Sequence, residues 1–441
     1  MTRDIDAIIR PEPASKAREI WLMTVLGVLL AFASISTDLY LPAMPGMSAT
    51  LGTTQGKLQY TVSAYLIGFA VGQLIWGPIS DRFGRRIPVA AGLALFMLGC
   101  AGCALSTDVG QLISFRILQA VGACAGVVLG RAMVRDRYGR ERSAGVLSTL
   151  MTIMAIAPLL GPSVGSLILK VAEWQAIFWI LVLVGLVTLV ALFTIPETLQ
   201  KDRRNNEPLR FAFAAYGKLI CNRPLLAYAG SLGFFYAGVF ANISGSAFAY
   251  IDYHHLTPQV FGLVFAVGTV GLMVTNFVNA RLVGQYGSDR MLKIGAVGAA
   301  VAGLLLAVVT ATDFGGVWAM AISLWLFTAM NGLISANAIS GALADVPTRA
   351  GAVSAVMGAI QYGSGVVGSA IAGALANGTP WPMGAVIAFS GLGCLGCVLF
   401  LPRSGNDDGR EPPNMAVHQT PCAGMLVEPG PNDENFQDMS R

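Results

Sequence analysis

The stretch GPISDRFGRR, residues 77–86, decides the fold of this chain. It contains the end of one apolar segment, 58–80, and a short charged turn that leads into the next, 87–106. Each segment has the roughly 20 residues that a helix needs to cross a bilayer core about 30 Å thick. Gly84 suits a tight turn, and arginines hold such a loop on the cytoplasmic side of a membrane. The stretch therefore predicts two membrane helices joined by a cytoplasmic turn.

The composition extends this interpretation to the whole chain. Of its 441 residues, 55% are hydrophobic and only 12% are charged, and the mean hydropathy is +0.65. Soluble proteins carry about 25% charged residues, so a soluble protein is excluded. The aromatic content argues against disorder, and seven cysteines are too few for a disulfide-rich secreted domain. A helical membrane protein remains, and a net charge of +4 favours basic loops over a nucleic-acid site.

Twelve apolar segments are predicted to cross the membrane. If the N-terminus is cytoplasmic, all of the 28 Lys and Arg residues except Lys57, Lys170 and Arg116 fall in cytoplasmic segments or at the cytoplasmic ends of the spans. The positive-inside rule therefore places both termini in the cytoplasm. The predicted spans are 21–41, 58–80, 87–106, 110–134, 144–170, 175–195, 225–250, 259–284, 291–311, 315–343, 351–376 and 382–401.

A polar, basic loop divides the chain into two halves, and a weak repeat relates them. Trp174 and Trp381 open the sixth and twelfth spans, and Gly77 and Gly284 end the second and eighth at the same offset. Two halves related in this way indicate a duplicated transporter. The predicted organisation is a cytoplasmic arm (1–20), a first six-helix bundle (21–196), a cytoplasmic linker (197–224), a second six-helix bundle (225–402) and a disordered cytoplasmic tail (403–441).

The stretch at 77–86 resembles the loop signature of the major facilitator superfamily, G-x3-D-R-x-G-R-R, at every defining position. The resemblance implies an all-α membrane protein with twelve transmembrane helices in two pseudo-symmetric six-helix bundles. It also implies a conformational latch that forms in one state and breaks in the other. The latch residues are Gly77, Asp81, Arg82, Gly84, Arg85 and Arg86. The plain alternative is a turn that carries positive-inside charges.

Three further segments agree with this resemblance. STDLYLPAMP at 36–45 is similar to the STD-x-YLPA-x-P run of the Bcr/CflA drug-exporter subfamily, and RILQAVG at 116–122 is similar to the superfamily's R-x-x-Q-G-x-G, with Ala120 in place of Gly. APLLGPSVG at 157–165 is similar to the antiporter motif G-x-x-x-G-P-x-x-G, with Ala157 in place of the first Gly. The resemblance covers about residues 20–402.

This resemblance implies a proton-coupled multidrug antiporter of the bacterial inner membrane. The expected substrates are small amphipathic antibiotics of the bicyclomycin, phenicol or sulfonamide type, moved by alternating access. The expected partners are the drug, protons and the lipid bilayer, with no nucleic acid, and the expected state is a monomer without a cofactor or metal.

Two charged residues lie well inside the predicted spans, the carboxylate Asp38 and the cation Arg116. Such a residue costs several kcal/mol at membrane depth unless it is paired or hydrated, so it indicates function. The predicted topology puts both in the outer half, where burial and the charge of Arg116 would act on Asp38 in opposite directions and poise it for proton exchange. The alternatives are that Asp38 caps a helix end and that Arg116 is an anchor bound to backbone.

The fifth span carries the antiporter-motif residues Gly161, Pro162 and Gly165. Pro162 cannot donate a backbone hydrogen bond, and the two glycines leave a smooth face for a close helix contact. A bend beside a tight contact suits a seal or a pivot, and ordinary packing of small residues is the alternative.

The substrate cavity of a drug transporter should be mostly apolar with a few polar groups. Tyr65, Phe69 and Gln73 recur at every fourth position and so share one helix face. The other candidates are aromatic or amide side chains on spans expected to line the cavity. They are Phe235, Tyr236, Asn242, Asn331, Asn337, Gln361 and Tyr362.

Other functions receive less support from the sequence. The pairs Cys100/Cys103 and Cys394/Cys397 lie within spans among small residues, which favours helix packing over zinc. No histidine lies within a predicted span, which argues against a membrane enzyme, and His254 and His255 fall in an outer loop. A proton-coupled metabolite or nutrient symporter on the same fold is the alternative, and the motif of the fifth span argues against it.

Overall fold

The described part of the chain is almost entirely helical. The computed structural model describes residues 16–138, 140–199, 222–345 and 350–401, with positions 202, 204, 217 and 219 between them. These ranges contain no β-strand. Most of the predicted arm, most of the linker and the tail fall outside the described residues.

The helices are numbered here in chain order. The first half contains α1 (Lys16–Asp38), α2 (Met44–Thr50), α3 (Gln55–Phe83), α4 (Arg86–Ala104), α5 (Val109–Arg137), α6 (Arg140–Ile168) and α7 (Gln175–Phe193). The second half contains α8 (Arg223–Ala247), α9 (Pro258–Tyr286), α10 (Ser288–Thr312), α11 (Gly316–Ala329), α12 (Asn331–Asp345), α13 (Ala350–Ala374) and α14 (Trp381–Leu399). A π-helical turn, Phe248–Tyr253, continues α8.

Eleven helical segments of the described residues are long and apolar enough to cross a membrane. A shorter apolar segment, Ala157–Ile168, is the second part of the 29-residue helix α6, which corresponds to the predicted fifth span. The predicted all-α membrane fold is confirmed. The division into two six-helix bundles stays a prediction.

The first span is longer than predicted. We expected it to end at residue 41, but the helical segment runs on to Thr50 through a 3-10 turn at Leu41–Ala43 and helix α2. Pro42 and Pro45 do not stop it, because each stands in the first positions of a new helix, where the missing N–H is not needed. Asp38 therefore lies about 12 residues, or roughly 18 Å of helix, from the end of the segment.

The predicted tenth span, 315–343, corresponds to one helical segment, Gly316–Ala344, in which a short break at Met330 separates α11 from α12. No proline causes this break. Helix α9 packs against this break. The Thr275 hydroxyl donates to the Ala329 carbonyl. The two backbones also approach closely, since a Cβ on Gly332 would lie 2.4 Å from the Asn276 backbone nitrogen. The hydrogen bond from Thr275 satisfies a carbonyl at the end of α11.

Among the described residues, two helix pairs make most of the contacts between the first half and the second, α3 with α13 and α6 with α9. In the first pair the hydroxyls of Ser63 and Ser369 are 2.7 Å apart, and in the second the Ser166 hydroxyl donates to the Pro258 carbonyl at 2.7 Å. These contacts lie near the beginning of α3 and α9 and the end of α6 and α13. The protein is therefore closed at the end opposite the turn at 77–86, which we call the closed end.

Candidate functional site

The Arg116 side chain is completely buried between α1, α3 and α5. Its Nη1 donates to the Ser36 carbonyl at 3.2 Å and to Gln119 Oε1 at 2.7 Å. The guanidinium carbon lies 4.6 Å from the ring centre of Tyr40 and 4.5 Å from that of Tyr65. Gln119 extends this hydrogen-bond network, since its Nε2 donates to Cys100 Sγ at 3.0 Å.

The positive charge of Arg116 is only partly compensated by these contacts. The two aromatic faces and the carbonyl oxygens attract a cation, each ring by about 0.5–2 kcal/mol. Yet Nε and Nη2 are buried without an acceptor in the described part of the chain. A buried guanidinium with two unused donors can accept a further polar or anionic partner.

The Asp38 carboxylate ends α1 and is also buried, with 4% of its surface exposed. It packs on α6 at the antiporter motif. A Cβ on Gly161 would lie 2.7 Å from the Asp38 Cβ, and a Cβ on Gly165 would lie 2.2 Å from the Leu39 carbonyl oxygen. The two glycines therefore allow α6 to pack directly on the chain at Asp38 and Leu39.

The expected attraction between Asp38 and Arg116 is not realised as an ion pair. Both ion pairs found among the described residues involve Arg85, and Arg116 uses a carbonyl, an amide and two aromatic rings instead. The helix-cap interpretation of Asp38 also finds no support. The residues that cap the two following helices are Tyr40 and Ala43, and neither cap has a side-chain hydrogen bond.

A row of aromatic rings leads from Arg116 across the junction of the halves. Tyr65 and Phe69 stack with ring centres 6.2 Å apart, and Phe69 lies 4.2 Å from Tyr362 on α13. The row continues through Phe240 to Tyr236 on α8, at 5.8 and 6.0 Å. The sequence analysis missed Phe240, although it lies four residues after Tyr236 and so on the same helix face.

Amide side chains from four helices are distributed about this row. Gln73 approaches Gly358, where a Cβ would lie 3.0 Å from its Oε1. The Tyr236 hydroxyl donates to Asn331 Oδ1 at 3.3 Å, beside the break between α11 and α12. Asn242 is buried and its Oδ1 has no partner among the described residues, and Gln361 is half-buried next to Tyr362.

Two predicted substrate residues make contacts within the second half instead. Phe235 is fully buried and stacks on Phe327 with ring centres 5.1 Å apart. Asn337 donates to Asn279 Oδ1 at 2.7 Å, which ties α12 to α9. We therefore assign Phe235 and Asn337 to helix packing.

The turn at 77–86 is organised by Arg85, which is 7% exposed. Its Nη1 donates to Asp81 Oδ1 at 2.6 Å, and its Nε donates to Asp136 Oδ2 at 2.7 Å, so it joins α3 to α5. Burial alone would lower the pKa of Arg85, but the hydrogen bonds and charges of Asp136 and Asp81 raise it overall. The Asp81 side chain is still 51% exposed and can take another partner.

Glu197, which follows α7, is a member of this turn that sequence reasoning missed. It accepts the backbone N–H groups of Arg85 at 2.9 Å and Arg86 at 3.1 Å, at the beginning of α4. A Cβ on Gly84, whose φ is +90°, would lie 2.8 Å from Glu197 Oε2, so the turn needs glycine for its backbone and for this approach. A carboxylate at a helix N-terminus is stabilised by the helix dipole and by the free N–H groups.

We predict that Glu197→Gln destabilises the protein by about 1 kcal/mol, because a half-exposed carboxylate with several N–H donors is partly screened. Burial alone would raise the pKa of Glu197, but the N–H groups of Arg85, Leu199, Arg86 and Thr198 together lower it below the ordinary 4.5. A group whose pKa is lowered on folding stabilises the protein at pH values above its ordinary pKa. The stabilisation is lost as the pH falls through the lowered pKa.

The midpoint of thermal unfolding should therefore differ between wild type and Glu197→Gln at neutral pH. This difference should become smaller as the pH falls below 4.5. Glu173→Gln is the control, since Glu173 is exposed before α7. An equal effect of both substitutions would contradict the assignment of Glu197.

Comparison with known proteins agrees with this architecture. A sequence profile of the Major Facilitator Superfamily matches residues 26–251 and 230–427. The solved structure of the xylose transporter XylE from E. coli, in a partially occluded inward open conformation, has a TM-score of 0.68 and covers 88% of this chain and 98% of its own. At 17% identity, this likeness shows the fold alone.

Curated relatives are similar over most of their length. An uncharacterized MFS-type transporter, YdgK, of Bacillus subtilis is 34% identical over 380 residues, covering 85% of this chain and 93% of the relative. A bicyclomycin resistance protein homolog of Haemophilus influenzae is 30% identical over 371 residues, covering 83% and 92%. The chain therefore belongs to the Major Facilitator Superfamily, a family of transporters rather than enzymes.

Proposed function

We propose that this protein exports small amphipathic antibiotics in exchange for protons, by alternating access. The observation that carries the proposal is the buried Asp38 carboxylate, packed on Gly161 of the antiporter motif without an ion-pair partner among the described residues. Keeping a lone carboxylate out of water costs several kcal/mol, and binding a proton removes that cost. A group in this position is suited to couple proton binding to a movement of α6 against α1.

The substrate side of the proposal rests on the aromatic row between Tyr65 and Tyr236. Flat apolar rings with a few amides around them bind amphipathic molecules without requiring a particular charge. The relative from Haemophilus influenzae is named as a bicyclomycin resistance protein homolog, which favours antibiotics of the bicyclomycin type. The phenicol and sulfonamide types are proposed from the resemblance of the sequence alone. Arg116 offers its unused donors to a carbonyl or hydroxyl of the substrate.

The proposed cycle uses the closed end as one of two alternating gates. In the outward-open state Asp38 takes up a proton, becomes neutral, and can be buried against α6 as seen here. Drug entering from the cytoplasm then favours release of the proton to that side, and the loaded carrier turns outward. Exchange follows because the proton and the drug shift the same two-state equilibrium in opposite directions.

We propose the bacterial inner membrane as the location and a monomer as the working unit. The closed end should face the periplasm and both termini the cytoplasm, because the arginine-rich turns lie at the other end. A reporter active only in the periplasm should work when fused after Thr257 and fail when fused after Gly287. The reverse result would invert the topology.

The test of function is transport by purified protein in proteoliposomes. An antiporter should accumulate a bicyclomycin-type or phenicol antibiotic when the vesicle interior is acidic, and a protonophore should abolish the accumulation. A proton symporter of metabolites would instead accumulate its substrate when the exterior is acidic. Drug accumulation with an acidic exterior, or none with either gradient, would refute the proposed exchange.

A further inference from the structure

A recess of about 510 Å³ opens at the closed end, away from Asp38 and Arg116. It lies between the beginning of α3, the π-helical turn after α8 and the turn that joins α13 to α14. Its polar lining consists of Gln55, Gln59, Asp252, Tyr253, His255 and Thr379. Its volume is within the range of small-molecule sites, and it draws residues from both halves of the chain.

The polar lining of the recess includes a carboxylate and a buried hydrogen-bond acceptor without a partner among the described residues. Gln59 is 2% exposed, and its Oε1 has no partner among the described residues. A buried polar atom without a partner costs about 1–3 kcal/mol, which a ligand could recover. Asp252 contributes a carboxylate, while Lys57 lines a separate adjoining recess of about 500 Å³.

The backbone around Asp252 has two unusual features. The residues Phe248–Tyr253 form a π-helical turn, a conformation that occurs often at functional sites. His255 has a φ of +56°, which places its backbone in the left-handed region that residues other than glycine seldom adopt. Phe248, Asp252 and Tyr253 all line this recess, so two aromatic residues and a carboxylate border the same space. Rings beside a carboxylate favour an organic cation.

We propose that this recess is a second ligand site, which binds organic cations such as alkylammonium or phosphonium compounds at the closed end. Asp252 supplies the charge, the rings of Phe248 and Tyr253 supply cation–π contacts, and Gln59 accepts a hydrogen bond where the ligand carries a donor. His255, which is close enough to Asp252 to interact with it electrostatically, opposes a cation when protonated. The site does not depend on antibiotic export or on proton coupling.

The experiment compares two ions of the same shape and opposite charge, tetraphenylphosphonium and tetraphenylborate. A fluorophore is attached to Thr379→Cys, since Thr379 is exposed on the rim of the recess. The half-buried Cys397 is replaced by serine, as are Cys221 and Cys422, which lie outside the described residues. Titrations of the full chain in detergent are made at about pH 8, where an ordinary imidazole is neutral.

The phosphonium ion should change the fluorescence saturably, and the borate ion should not compete with it. Asp252→Asn should weaken phosphonium binding about fivefold, the upper range for a carboxylate near solvent. Asp313→Asn is the matched control, because Asp313 is an exposed acid outside the recess whose left-handed backbone asparagine tolerates. It should bind like the parent.

Several outcomes would overturn the proposal. The first is equal binding of the two ions. The second is unchanged phosphonium binding in an Asp252→Asn variant whose thermal unfolding matches the parent. The third is a loss of phosphonium affinity in Asp313→Asn as large as that in Asp252→Asn. Drug transport measured on the same variants is a separate readout. A failure of this site therefore leaves the proposed export untouched, and a failure of export leaves this site testable.

Discussion

Asn in place of Asp38 should abolish proton-driven drug accumulation while leaving drug binding intact. Asparagine has nearly the shape of the protonated acid, so it fits against Gly161, but it can neither bind nor release a proton. The buried position carries no ion pair among the described residues, so the neutral side chain should not unfold the protein. In proteoliposomes with an acidic interior, accumulation should fall to that of protein-free vesicles, whereas equilibrium drug binding should stay within about twofold of wild type.

Glu173→Gln is the control for this experiment, since it removes an exposed carboxylate near the closed end and should transport normally. Exchange of labelled for unlabelled drug, without any proton gradient, separates coupling from movement. An Asp38→Asn protein that still concentrates drug at the expense of a pH gradient would exclude Asp38 as the coupling residue.

Gly165→Ala should have the second largest effect, because it separates α6 from the chain at Leu39. The added Cβ would lie 2.2 Å from the Leu39 carbonyl oxygen and 3.0 Å from its carbon, and backbone atoms cannot rotate away. Overpacking of this kind costs about 1–3 kcal/mol, more than the roughly 1 kcal/mol that alanine gains over glycine in a helix. We expect transport to fall about tenfold or more, which corresponds to about 1.4 kcal/mol, and the midpoint of thermal unfolding to drop.

Gly268→Ala gives the matched comparison. Gly268 is also within a membrane helix, α9, but a Cβ there would meet nothing within 4 Å. This variant should unfold at the same or a higher temperature than wild type and should transport normally. If the Gly165→Ala protein were as stable and active as the Gly268→Ala protein, the contact between α6 and α1 would have no part in the cycle.

The sequence was sufficient for the fold and for the location of the turn at 77–86. Apolar length and the distribution of Lys and Arg are properties of the chain alone, since the bilayer imposes them on each segment separately. Tyr65, Phe69 and Gln73 could be proposed as cavity residues, because a period of four selects one helix face.

Features that depend on contacts between distant residues could not be found in this way. Glu197 looks like an ordinary loop acid in the sequence, and only the packing of α7 brings it to α4. The two aromatic partners of Arg116, Tyr40 and Tyr65, were not predicted, whereas a backbone partner was one of the alternatives and the Ser36 carbonyl supplies it. The first span was predicted too short, because Pro42 and Pro45 stand at the beginning of new helices and the helical segment continues through them.

The hydrogen bond between Glu197 and the backbone of Arg85 also bears on how the protein is made. The two residues are 112 positions apart, and Glu197 comes after the last helix of the first half. Chains are synthesised from the N-terminus, so α4 must enter the membrane with the N–H groups at its beginning unpaired by this carboxylate. The first half can complete the turn at 77–86 only once all of its helices have left the ribosome. A nascent chain stopped before Glu197 should therefore be more open to proteases at the turn than one stopped shortly after it.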